Sequence, residues 1–197
     1  SNCGYTQPRW LGRCPECGGW NTLVEEAEVT AKASKSYLPA NNEKLRPRTI
    51  ASVAQTKVER LATGIREFDR VLGGGVVQGS LVLLGGTPGI GKSTILLDAG
   101  LRFGQQGIKV LYLSGEESEE QTAMRAVRLG GAQANDNLLI LTATDLDAIL
   151  AQANALKPQL LIIDSIQTMY NPELQTAAGS VGQVRECTAK LLQFAKT

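Results

Sequence analysis

The sequence predicts an α/β fold: a mostly parallel sheet covered by helices on both faces, preceded by a small cysteine-knuckle module. Three observations carry this expectation. Short continuous apolar runs alternate with helical patterns between residues 80 and 196, as in buried parallel strands joined by crossover helices. A glycine-rich run, Gly86-Thr87-Pro88-Gly89-Ile90-Gly91-Lys92-Ser93-Thr94, lies between one such strand and one such helix. A Cys-Pro-Glu-Cys-Gly turn sits near the N-terminus.

Residues 1–24 are expected to form the small module. Cys14 and Cys17 stand in a knuckle that aims two thiolates at one point, as tetrahedral zinc requires. Cys3 is followed by glycine as Cys17 is. It is therefore expected to close a matching knuckle whose first cysteine falls before Ser1. Within this chain the Zn²⁺ site, Cys3, Cys14 and Cys17, is then one ligand short. The alternative is a redox pair, which would need a βαβ setting that this turn-rich stretch lacks. Trp10, Leu11 and Trp20 are expected to form the module's core, with an exposed aromatic surface for bases as the alternative. Cys187 lies far off in a helical pattern and reads as packing.

Residues 25–56 have weak periodicity, contain Pro39 and Pro47, and read as a linker. From 31 to 60, Lys32, Lys35, Lys44, Arg46, Arg48, Lys57 and Arg60 outweigh Glu43 and Glu59. That excess fits a solvated tether or a strip contacting phosphates.

The large domain is expected over 57–197 and to be incomplete, because it closes on a helix with no strand after it. A turn-rich lead-in runs through Thr63-Gly64-Ile65 and Leu72-Gly73-Gly74-Gly75. Residues 80–85 (SLVLLG) read as a fully buried strand and 95–103 as a helix. Strands are then expected at 109–114, 138–142 and 160–164, and helices at 119–129, 145–156 and 181–196.

The chemistry concentrates at two places. Residues 86–94 match G-x-x-x-x-G-K-[ST], the loop that wraps nucleoside triphosphates. Its glycines let backbone N–H groups converge on phosphate oxygens, and the following helix adds positive charge at its N-terminus. Lys92 is expected on the β/γ-phosphates and Ser93 on Mg²⁺. Four apolar residues then deliver Asp164 to the C-terminal edge of a strand, where it is expected to complete the Mg²⁺ site. Ser114-Gly115-Glu116-Glu117-Ser118 follows another strand. Glu116, nearest that strand end, is expected to orient the attacking water. The acids there also suit a helix N-terminus, and both roles are compatible.

Other classes are excluded. The chain has no histidine, which removes imidazole acid–base chemistry and His-containing metal sites. Net charge is +1, so no global field announces a nucleic-acid or membrane partner. No apolar run approaches the ~20 residues of a membrane span. No membrane partner and a cytoplasmic location are expected.

With these residues in hand, the chain resembles the RadA (Sms) family of bacterial DNA-repair proteins, RecA-like P-loop ATPases with an N-terminal zinc ribbon. The resemblance is carried by CGY…WLGRCPECG…WNTL, by TGI…FDRVLGGG, and by GGTPGIGKST, SGEES and IIDSIQT in family order. It implies ATP as the nucleotide, a homo-oligomer forming a hexameric ring on single-stranded or branched DNA, and a recombinase partner. It further implies ATP-driven branch migration or unwinding in recombinational repair. Glu116 matches the family's catalytic glutamate and Asp164 its Mg²⁺ acid. Ser165 and Gln167 match polar residues near the γ-phosphate, and residues 168–182 a loop facing the DNA channel. The family's Lys-Asn-Arg-Phe-Gly motif and protease-like C-terminal domain would follow residue 197. Two other readings stand beside the motor: a RecA-like ATPase acting on a protein, and a nucleotide-switched binding module with little hydrolysis.

Overall fold

The computed structural model describes residues 12–20, 47, 49–54, 59–130 and 136–197. The chain divides into two compact units, Ser1–Ser36 and Tyr37–Thr197. In the first, Arg13 and Trp20 form an antiparallel bridge around a tight turn. The Cys14 amide donates to the Gly19 carbonyl at 2.9 Å, and the Gly18 amide donates back to the Cys14 carbonyl at 2.9 Å. Gly18 closes the turn at φ 70°, where a side chain would be strained. Trp20 corrects one expectation. Rather than sitting in a core it is 71% exposed, with the Arg13 guanidinium 5.9 Å from its ring centroid. Cys3, Trp10 and Leu11 lie outside the described residues.

In the second unit a short helix, α1 (Ile50–Ala54), stands within the stretch expected to be linker. Thr49 starts it, accepting from the Ser52 amide and hydroxyl. β1 (Arg60–Leu61) pairs antiparallel with β2 (Val76–Val77) around α2 (Arg66–Val71). Asp69 ties this lead-in together by accepting from the Thr63 amide and hydroxyl and from the Gly64 amide. Arg60, counted in the basic strip, is committed instead to the Leu72 and Gly75 carbonyls.

The remaining elements alternate: α3 (Lys92–Gln105), β3 (Val110–Ser114), α4 (Glu119–Arg128), β4 (Leu138–Thr142), α5 (Leu146–Leu156), β5 (Leu160–Asp164) and α6 (Val181–Ala195). The three strands form a parallel sheet in the order β4-β3-β5. β3 is central and buried at every position. Its side chains alternate between two cores. Val110 and Tyr112 pack with Leu97, Leu101 and Phe103 of α3 and Ala126 of α4. Leu111 and Leu113 pack with Leu146, Ile149 and Ala153 of α5 and Cys187 and Leu191 of α6. Both faces are therefore covered, as the apolar strands required.

Residues 80–85 depart from expectation. They form no strand, and Leu81, Val82 and Leu83 are 37%, 46% and 76% exposed. A strand needs a ladder partner as well as apolar side chains. Both edges of β3 are taken by β4 and β5, and among the described residues nothing pairs with 80–85. Helix α3 also begins three residues earlier than the apolar periodicity suggested, taking in Lys92, Ser93 and Thr94. No helix among the described residues is long and apolar enough to cross a membrane.

Candidate functional site

Register brings the site together. Ser114 of β3 pairs with Asp164 of β5, so the two strands end level at one sheet edge. Position parity then sets the side chains. Tyr112 and Asp164 fall on the face that packs against α3 and α4, since alternate residues share a face.

The glycine-rich loop reaches the same edge. Gly89 and Gly91 adopt φ 77° and 100°, conformations a side chain would oppose. Gly91 caps α3, and Ile95 donates to its carbonyl at 3.0 Å. The first-turn amides of α3 thus stay unpaired within the helix and point toward the loop. The Lys92 ammonium donates to the Gly86 and Thr87 carbonyls at 2.9 and 3.0 Å, which holds a positive charge inside the loop. Ser93, one residue into α3, donates from Oγ to Asp164 Oδ1 at 2.8 Å.

Glu116 comes to this edge by another route. Gly115 continues from β3 and donates to the Asp164 carbonyl at 2.9 Å. A Cβ at this position would run into Thr168 Oγ1, so a larger residue must displace either the turn or the loop after Asp164. Ser114 Oγ then accepts from the Glu117 amide and donates to its carbonyl, folding residues 114–117 into a tight turn. Glu116 is left exposed, its Oε1 accepting from Ser165 Oγ at 3.0 Å. The Asp164–Ser165 peptide is cis. Ser118 caps α4 in a full capping box with Gln121, so the acids at 119 and 120 also serve the helix. The Ser118 hydroxyl holds the Glu120 carboxyl below the usual carboxylate range.

Two residues that the motifs did not mark, Tyr112 and Arg125, complete the cluster. Tyr112 Oη donates to Asp164 Oδ2 at 2.7 Å. Arg125 of α4 donates to Tyr112 Oη at 3.3 Å and lies 3.0 Å from Glu117 Oε2 and 3.7 Å from Asp164 Oδ2. Burial, reinforced by the hydrogen bond to Asp164 and its charge, pushes the Tyr112 phenol well above its ordinary pKa. Tyr112 therefore keeps its proton, accepting from Arg125 and donating to Asp164. One signal was available in the sequence: a phenol inside an otherwise aliphatic strand needs a buried partner. Glu117, Gln121, Met124, Arg125 and Arg128 line a cavity of about 290 Å³ against this cluster.

Beyond Asp164 the loop is anchored. Buried Gln183 accepts from the Asn171 amide at 2.8 Å and donates to the Asn171 and Thr176 carbonyls at 3.2 and 2.9 Å. Lys190 bridges Asp147, Asn171 and Glu173. Gln167 and residues 175–179 are exposed.

The donors suit the expected cations. Ser93 Oγ and Asp164 Oδ1 are hard oxygen ligands converging at a helix N-terminus, the type of set that Mg²⁺ takes beside phosphates. In the small unit, Cys14 is buried and Cys17 exposed on one glycine-closed turn, a donor pair suited to zinc. Cys3 lies outside the described residues.

Comparison with known proteins agrees with this geometry. Residues 46–197 match the AAA domain family, and residues 1–25 match the rubredoxin metal binding domain. Among curated relatives, the "DNA repair protein RadA" of Halalkalibacterium halodurans is 48% identical over 196 residues, 99% of this chain and 42% of that protein. Proteins of the same name from Bacillus subtilis and Listeria monocytogenes are each 46% identical, over 100% and 98% of this chain and 43% and 42% of their own lengths. The chain thus spans less than half the length of the curated relatives it matches.

Proposed function

We propose that this chain, which belongs to the AAA domain family, carries the ATP-hydrolysing site of a DNA-repair ATPase. The observation that carries the proposal is the meeting of Ser93, at the start of the loop helix, with Asp164 at the end of β5. Glycine-loop amides and Lys92 would bind and neutralise the triphosphate, with residues 86–94 as the loop. Ser93 and Asp164 would hold Mg²⁺, which when bound screens the charge of the phosphate oxygens. Glu116, fixed by Ser165, would orient the attacking water, since phosphoryl transfer depends mainly on positioning and charge.

DNA is the partner we assign to the whole protein, supported by the printed name of the relatives. The finer reading is a cytoplasmic, DNA-stimulated motor that assembles as a ring, works beside a recombinase and drives branch migration or unwinding. The anchored loop at 168–182 supplies its exposed tip to the strand. Cys14 and Cys17, with Cys3, would hold zinc. The domain division is 1–24 for the ribbon, 25–56 for the connection and 57–197 for the ATPase.

The test is ATP hydrolysis by the full-length protein, with and without single-stranded DNA, beside Lys92→Ala and Glu116→Gln. DNA-stimulated turnover that both substitutions abolish supports the proposal. Turnover indifferent to DNA removes the motor and leaves a protein partner as the reading to pursue.

A further inference from the structure

Asp164 is gripped from behind. Its two carboxylate oxygens are divided between opposite sides: Oδ1 meets Ser93 at the loop, and Oδ2 meets Tyr112 in the core. The hydrogen-bond direction on the core side is fixed by chemistry. Arginine only donates, so at 3.3 Å Tyr112 Oη must accept from Arg125. The phenol hydrogen is then directed at Asp164, whose carboxylate only accepts. Tyr112 has no exposed surface and packs among α3 and α4 side chains, so its ring cannot follow a carboxylate that turns.

Arg125 is itself held loosely. It ion-pairs with Glu117 at 3.0 Å, yet Arg125 Nε and Glu117 Oε2 are buried with no well-formed hydrogen bond. Arg125 approaches Asp164 Oδ2 only to 3.7 Å. The short contact to the carboxylate belongs to the neutral phenol, and the guanidinium stands one atom behind it. A neutral donor fixes Oδ2 without adding a positive charge of its own, and the guanidinium charge stands farther back, at 3.7 Å. A guanidinium in its place would make a charge-assisted pair and compete with that cation.

We infer that Arg125 and Tyr112 form a relay of positioning residues that locks the Asp164 carboxylate with Oδ1 alone facing the metal. The inference rests on the ATPase reading for its metal but not for its test. Residues that orient a ligand from behind typically change metal affinity about 10–100-fold when removed.

The experiment measures Mn²⁺ binding to the full-length protein with ADP, by electron paramagnetic resonance, and the Mg²⁺ dependence of hydrolysis. Tyr112→Phe, which removes one oxygen, is expected to weaken Mn²⁺ binding about ten-fold and raise KM for Mg²⁺ in step. At saturating Mg²⁺, kcat should change far less. Binding of a fluorescent ADP in EDTA should match the unsubstituted protein. Arg125→Met, at a partly exposed position, should give a smaller loss of the same kind, and it carries the test should Tyr112→Phe not fold. Because the two residues act in series, the double variant should bind Mn²⁺ no more weakly than Tyr112→Phe alone. Mn²⁺ affinity within about two-fold of the parent, against the ten-fold expected of an orienting residue, overturns the relay. Fully additive losses overturn it as well. A parent protein that binds Mn²⁺ and ADP but does not hydrolyse ATP overturns the proposed function and leaves this inference standing.

Discussion

Ser93 Oγ donates to Asp164 Oδ1 at 2.8 Å across 71 residues of chain, joining the first turn of α3 to the last residue of β5. The contact depends on backbone geometry at both ends. Gly91 sets the start of the helix, and the β3–β5 register sets the end of the strand. If both oxygens hold the cation as proposed, replacing either should remove cation binding without disturbing the fold. Ser93→Ala and Asp164→Asn are expected to lower Mg²⁺-dependent kcat at least ~100-fold, since a bound cation contributes several kcal/mol to the barrier. Fluorescent ADP binding in EDTA should survive in both. Loss of that binding in Ser93→Ala would mean that the serine supports the loop rather than the cation.

Gly115→Ala tests how tightly the glutamate turn is set. The new Cβ would meet Thr168 Oγ1, with Thr168 Cβ at 2.8 Å and Met169 Cε at 3.0 Å. Either the turn carrying Glu116 or the loop after Asp164 must move. A displacement near 1 Å in a positioned group costs about 100-fold in rate. We expect hydrolysis to fall by that order with nucleotide binding kept. Adding Thr168→Ala should rescue only part of it, because the Thr168 Cβ remains in the way.

What the sequence revealed and what it hid have separate physical causes. The strands at 110–114, 138–142 and 160–164 were legible because a parallel strand buried on both faces is continuously apolar. The glycine-rich loop and Asp164 were singled out because phosphate chemistry would need those residue types at that spacing, and Ser93 Oγ meets Asp164 Oδ1 at 2.8 Å. Residues 80–85 misled for the same reason: apolarity reports a wish for burial and does not supply a neighbouring strand. Tyr112 and Arg125 stayed hidden because Tyr112 meets Asp164 only when β3 lies beside β5, and Arg125 reaches Tyr112 only when α4 folds back over β3, neither of which a local pattern encodes. Arg60 misled because a charge run in one dimension says nothing of which carbonyls will surround each guanidinium.

Gln183 gives a stability prediction. Its amide is fully buried and joins the start of α6 to Asn171 and Thr176 by three hydrogen bonds. Gln183→Leu keeps the volume and strands three backbone groups. Unfolding by urea should show a loss of about 2–4 kcal/mol, given 1–3 kcal/mol for a buried group left unpaired and some access of water. Amide exchange at 171–176 should quicken before that of β3. Uniform exchange across the domain would show that the loop is held by other contacts.

Asp69 gives a dependence on pH whose sign is fixed. Burial pushes its carboxyl up, but the hydrogen bonds from Thr63 and Gly64 outweigh burial and leave the pKa below the ordinary carboxyl value of 3.8. A depressed carboxyl pKa means that the unfolded chain takes up its proton first as pH falls. The stabilisation is thus complete well above 3.8 and disappears as pH drops through the lowered value of the folded state. Asp69→Asn should therefore lower Tm by about 2–4 °C near neutral pH, the shift expected per kcal/mol in a domain of this size. The gap between the two proteins should close as pH falls through that lowered value, where the Asp69 carboxyl becomes neutral in the folded chain as well. A gap independent of pH would show that Asp69 acts through shape alone and that its charge adds nothing to the Thr63–Gly64 turn.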